Sequence, residues 1–93
     1  MMEQDSAEAV ALKALAWLAG NDEVLPVFLG ATGASLGDMR ERAGDPVFLG
    51  SVLEFLTMDD AWITAFCDSE AIEYEIPMQA RQALPGGAPV HWT

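Results

Sequence analysis

The stretch from Gly44 to Met58 constrains this chain more than any other: Gly-Asp-Pro-Val-Phe-Leu-Gly-Ser-Val-Leu-Glu-Phe-Leu-Thr-Met. Asp45 stands where a helix cap belongs. Pro46 follows at the first helical position, where proline's fixed φ and missing N–H do no harm. Wound as a helix over about 46–57, the segment places Phe48, Val52, Phe55 and Leu56 on one face and Leu49 and Leu53 on the adjacent one, with Glu54 its only charge. A helix apolar around most of its circumference must be contacted from several sides. The rest of the chain has to supply those contacts.

The other segments read as short helices that can do so. Residues 5–19 carry Val10, Ala14, Trp17 and Leu18 inward with Leu15 beside them, and Lys13 and Ala16 outward. Asp5 and Glu8 have capping-box spacing and Gly20 provides the stop. Asn21 caps a second helix, about 22–32, with Leu25, Phe28, Leu29 and Thr32 on one face; Pro26 can delay its start to Leu25, and Gly33 ends it. Ser35 and Asp38 open a short third helix that carries Leu36, Met39 and Ala43 inward. Thr57 and Asp60 have capping-box spacing for a fifth helix, 58–70, with Trp62, Ile63, Phe66 and Cys67 buried. Ala71 to Ile76 alternates apolar and acidic residues, but a single strand has no partner here, so an extended connection is expected. Pro77 starts a last helix that runs to about Leu84. The expectation is an all-α fold: a compact bundle of five to six short helices around the central apolar helix. Residues 1–84 form one helical domain, and 85–93 form a flexible tail.

Pro-Val-Phe-Leu-Gly occurs at both 26–30 and 46–50, which reads as two amphipathic helix starts rather than a duplication. Glycine inside a helix costs about 1 kcal/mol against alanine, so Gly30 and Gly50 are expected to mark close helix contacts.

Three pieces together carry a family resemblance: Ala-Leu-Lys-Ala-Leu-Ala-Trp-Leu-Ala-Gly at 11–20, Phe-Leu-Gly-Ala-Thr-Gly at 28–33 and Arg-Glu-Arg-Ala-Gly-Asp-Pro-Val-Phe-Leu at 40–49. The chain resembles, over roughly residues 6–84, a small alphaproteobacterial family, domain of unknown function 3572. The resemblance implies a compact helical bacterial cytoplasmic protein. It supplies no catalytic residues.

Composition removes several activities. The 93 residues carry 15 acids against four bases, Lys13, Arg40, Arg42 and Arg81, for a net charge of −11. Such a chain repels nucleic acid and anionic membrane, which are bound through clustered Lys and Arg. No apolar run reaches the roughly 18–20 residues of a membrane span, and Met-Met-Glu-Gln-Asp is acidic where a signal peptide is basic. The single Cys67 forms no internal disulfide or Cys-based zinc site. A cytoplasmic location is expected.

Candidate chemistry is thin. Gly33-Ala34-Ser35-Leu36-Gly37 matches the nucleophile-elbow pattern, but the elbow needs a preceding strand and a delivered histidine. Here Ser35 reads as a helix cap, and the only histidine is His91. Cys67 sits in an apolar stripe beside acids, and both features suppress thiolate formation. Asp68, Glu70, Glu73 and Glu75 lack the spacing of a calcium loop, and glycine-rich phosphate loops are absent. No catalytic residue, cofactor or metal site is assigned, and the chain is expected not to be an enzyme. The functional expectation is a protein–protein interaction module acting on a protein partner or by self-association as a homodimer. Its surface would be an apolar patch rimmed by Asp59, Asp60, Glu73 and Glu75, with Trp92 as anchor. The alternatives are a small-ligand- or metal-binding protein with a pocket between the first, fourth and fifth helices, and an acidic mimic of nucleic acid.

Overall fold

The computed structural model describes residues 2–85. Within them are α1 (Gln4–Ala19), α2 (Leu25–Thr32), α3 (Leu36–Glu41), α4 (Pro46–Thr57), α5 (Asp60–Glu70) and α6 (Ile76–Ala83), and no strand. The expected all-α bundle is therefore observed. The tail expectation, with His91 and Trp92, lies outside the described residues apart from Pro85.

α4 is the centre of the molecule. Asp45 accepts a hydrogen bond from the Val47 N–H at 3.0 Å, and Pro46 opens the helix. Phe48, Leu49, Gly50, Val52, Leu53, Phe55 and Leu56 are all buried. No single neighbour could cover so wide a surface; α1, α5 and α6 all pack on α4. α2 adds Phe28, fully buried, with its ring edge-on to Phe48 at 6.2 Å and to Phe55 at 5.2 Å between centroids. Trp62 of α5 stacks on the same Phe55 at 4.7 Å, so one aromatic cluster ties three helices together.

The buried face of α1 is turned from the one its large residues suggest. Ala7, Ala11, Ala14, Leu15 and Leu18 are buried, while Val10 and Trp17 are only half-buried. α6 explains the rotation. It makes its most extensive contact with α1, and its own Ala80 is fully buried. Small residues allow helix backbones to approach closely, and Ala7, Ala11 and Ala14 of α1 are fully buried where α6 and α4 pack on this helix. Trp17 instead covers the edge of Phe66 on α5, 6.0 Å away.

Local signals set most of the boundaries. Asn21 accepts from the N–H groups of Glu23 and Val24, both at 3.0 Å, and holds a turn; α2 itself begins only at Leu25, with Pro26 next. Gly33 ends α2 at φ 75°, a left-handed conformation that glycine adopts without steric cost. Ser35 and Asp38 form the expected reciprocal capping box.

Two other capping boxes are not formed. α1 starts one residue early, at Gln4, whose amide donates to Glu8 Oε2 at 3.0 Å; Asp5 lies inside the first turn, where its charge suits the helix dipole. At the next junction Thr57 stays in α4 and donates to the Glu54 carbonyl. Asp59 caps α5, accepting from Ala61 and Trp62, because its extended backbone aims the carboxylate at those N–H groups.

Two further expectations are corrected. Gly30 faces open space, so it marks no close contact; Gly50 does. Leu36 is 53% exposed rather than inward. α3 is only six residues long and buries Met39 alone, so it turns one narrow stripe inward and leaves Leu36 at its edge.

Ala71, which follows α5, is the only residue other than glycine with positive φ among those described, at 56°. Its N–H and that of Ile72 both donate to the Cys67 carbonyl, closing the helix. An L-residue in this region costs roughly 1–2 kcal/mol, and glycine gives back about 0.4–1 kcal/mol through a freer unfolded chain. Ala71→Gly should therefore raise stability by about 0.5–1 kcal/mol. Urea denaturation reads the gain as a higher midpoint, and an unchanged or lower midpoint contradicts it.

Candidate interaction surface

Two helical stripes meet at the surface and form an apolar groove. On α1, Leu12, Leu15, Ala16 and Ala19 follow at spacings of three and four, which puts them in one row. On α3, Leu36, Met39 and Arg40 do the same over a single turn. Leu15, Ala16, Ala19, Leu36, Met39 and Arg40 line a cavity of about 210 Å³. Leu36 forms one lip, and Leu12, 45% exposed, extends the α1 row. The alanines keep the floor low because a methyl group projects little from the backbone. Arg40 closes one end. Among the described residues neither Arg40 nor Lys13 is paired with a carboxylate, although the chain carries 15 acids. The other cations are engaged: Arg42 lies 6.0 Å from the Phe48 ring centre, and Arg81 approaches Glu54 at 4.0 Å.

The residues picked out from sequence are not gathered into one patch. Asp59 and Asp60 stand at the start of α5, while Glu73 and Glu75 lie beyond its end. Glu73 and Glu75 fold back beside Cys67, towards the far end of the eleven-residue α5 from Asp59 and Asp60. The Asp59 carboxylate is occupied as the cap of α5. Asp60, Glu73 and Glu75 are exposed, and Trp92 lies outside the described residues. The groove residues escaped sequence reasoning because Leu36 was assigned to the core. The available signal was the outer face of α1, where Leu12, Ala16 and Ala19 leave an apolar row on a surface that a solvated helix would fill with charge.

Two other concavities indent the surface. One, of about 680 Å³, lies between the start of α1 and α6 and is lined by Met2, Ser6, Gln79, Gln82 and Ala83. The other, of about 480 Å³, is formed around the end of α5 by Cys67, Asp68, Ile72, Glu73, Tyr74 and Glu75. Neither lies between α1, α4 and α5, where the alternative reading would place a ligand pocket; there Trp17 lies edge-on to Phe66. Among the described residues no three His, Cys, Asp or Glu side chains converge on a point that could hold a metal ion.

At the end of α5 the chemistry is quiet. The Tyr74 hydroxyl donates to Asp68 Oδ1 at 2.8 Å, and that bond together with the same carboxylate's charge raises the phenol pKa. Cys67 is buried, and burial first, then Asp68 and Glu75, push its thiol above the ordinary value of 9.0. The native thiol therefore stays protonated at neutral pH and is a poor nucleophile. Ellman's reagent at pH 8 should label the native protein far more slowly than the urea-unfolded chain, and equal rates would refute the burial. The raised folded-state pKa also makes the unfolded thiol ionise first. Its contribution to stability is complete below about pH 9 and is lost as the pH rises further, through the folded-state value.

The fold and this surface define a small all-α bundle with an exposed apolar groove. The family profile described as Protein of unknown function (DUF3572) matches residues 4–87, and the chain belongs to that family. No curated protein and no solved structure matches it. No helix among the described residues is long and apolar enough to cross a membrane.

Proposed function

We propose that this chain is a non-enzymatic protein–protein interaction module of the cytoplasm that receives an apolar side chain of its partner in the α1–α3 groove. The observation that carries the reading is the pairing of exposed apolar walls, Leu12, Leu36 and the alanines of α1, with an Arg40 that has no carboxylate partner in an otherwise acidic chain. Apolar walls release water when covered. A planar guanidinium at one end selects a carboxylate beside the apolar residue and sets its orientation. The acidic surface elsewhere contributes long-range steering and suppresses wrong contacts.

A photo-crosslinking residue at position 36, in the groove, compared with one at position 65, on the exposed face of α5, tests the reading in native extract. Protein adducts at position 36 that disappear with Arg40→Glu support it. Absence of any protein adduct at position 36, including one with the chain itself, overturns it.

A further inference from the structure

We infer that the groove's occupant is a second copy of this chain, which inserts Met58 between α1 and α3 and brings Asp60 to Arg40. This rests on the reading of the groove given above and names its partner. Met58 is the most exposed large apolar residue among those described, at 71%. It sits on the corner between α4 and α5, with Glu54 one helical turn before it and Asp59 and Asp60 directly after it. An unbranched thioether side chain adapts to an irregular apolar slot better than a branched one. The slot's volume, about 210 Å³, equals that of several waters at roughly 30 Å³ each, enough for one long side chain. Charge complements shape. The knob carries carboxylates, and the slot carries Arg40, with Lys13 on the neighbouring row of α1.

Val47 and Tyr74, the next most exposed apolar residues outside the groove, fit less well. Val47 lies at the start of α4, one residue before the Phe48 that Arg42 covers, and would bring like charge to Arg40. Tyr74 already gives its hydroxyl to Asp68. The chain cannot fill its own groove with Met58, because α3 leads into the first turn of α4 and Met58 lies beyond its last. The twelve residues of α4 span about 18 Å, and Met58 is not among the residues that line the groove. Knob and slot are therefore different patches, which pair either reciprocally about a two-fold axis, each knob in the other copy's slot, or head-to-tail from copy to copy. An interface of one knob and one ion pair is small, and the association is of the weak, transient class.

The test is sedimentation equilibrium of the full chain over a concentration series, on wild type, Leu36→Glu and Met58→Glu. Both positions are exposed, and circular dichroism with thermal melting verifies that each variant folds. Wild type should show a mass that rises with concentration, and each variant alone should associate at least about tenfold more weakly, a loss of about 1.4 kcal/mol. Mixed in equal amounts, the variants should recover a dimer and nothing larger, because one retains an intact slot and the other an intact knob. Arg40→Ala should weaken association without changing the melting temperature. A wild-type protein that stays monomeric at millimolar concentration overturns the inference, as does association that survives Met58→Glu or a mixture that recovers nothing. If in those cases the position-36 adduct with another protein persists in extract, the groove reading stands and only its occupant is wrong.

Discussion

Truncating Phe28 to alanine is expected to cost about 3–5 kcal/mol, the range for emptying a fully buried aromatic site. Phe28 is the one buried side chain of α2, and its ring is held edge-on by Phe48 and Phe55. Phe55 is in turn stacked on Trp62. Removing the ring therefore opens a cavity bounded by other rings that cannot collapse far, and it releases the only fully inserted anchor of α2. Against a total stability of roughly 5–15 kcal/mol, this is a large fraction. The melting temperature should fall by at least about 12 °C, at some 4–8 °C per kcal/mol for a domain of this size. Leu36→Ala, at an exposed position, should stay within about 0.5 kcal/mol of wild type. A Phe28→Ala protein that melts within a few degrees of wild type would mean that α2 is not anchored through this ring.

Gly50→Leu is expected to destabilise by about 1–3 kcal/mol, the usual cost of forcing extra atoms into a packed site. A Cβ at position 50 would sit 3.0 Å from the Pro85 carbonyl oxygen and 3.6 Å from the Leu84 Cβ. Leu84 is buried there, so the segment leaving α6 crosses α4 at the one point where α4 has no side chain. The remainder of a leucine would displace Leu84 or bend that crossing. Gly30→Ala provides the control: nothing lies within 4 Å of a Cβ there, and helix propensity alone should raise stability by about 0.5–1 kcal/mol. Urea denaturation of the two variants should move the midpoint in opposite directions. Movement in the same direction would remove the crossing of α4 as the reason for Gly50.

These paired glycines show how far local reading reaches. Both occur in the same five-residue motif, and both cost the same in propensity. Nothing within either motif indicates that one faces solvent and the other the exit of α6. The capping boxes divide in the same way. Ser35–Asp38 forms because both residues lie at a helix start with no competing acceptor nearby. Asp5–Glu8 and Thr57–Asp60 lose to Gln4–Glu8 and Asp59, contests decided by a shift of one or two residues in where the helix begins. For the candidate surface the acidic residues were visible but their separation was not. The length of α5 puts them at two ends, and only the placement of α3 beside α1 turns Leu36 from an expected core residue into the lip of a groove.

Helix number and the central position of α4 were determined by the sequence itself. Each follows from interactions between near neighbours: caps and prolines at helix starts, and apolar residues around most of a helix circumference. Which face of α1 is buried, which glycine is crossed and whether Arg40 meets a carboxylate were decided only in the tertiary structure. Those outcomes depend on how distant segments share a limited apolar surface. α4 and α6 together bury the alanine face of α1, where small residues let backbones approach, and the leucine and alanine row left over is the one that α3 only partly covers.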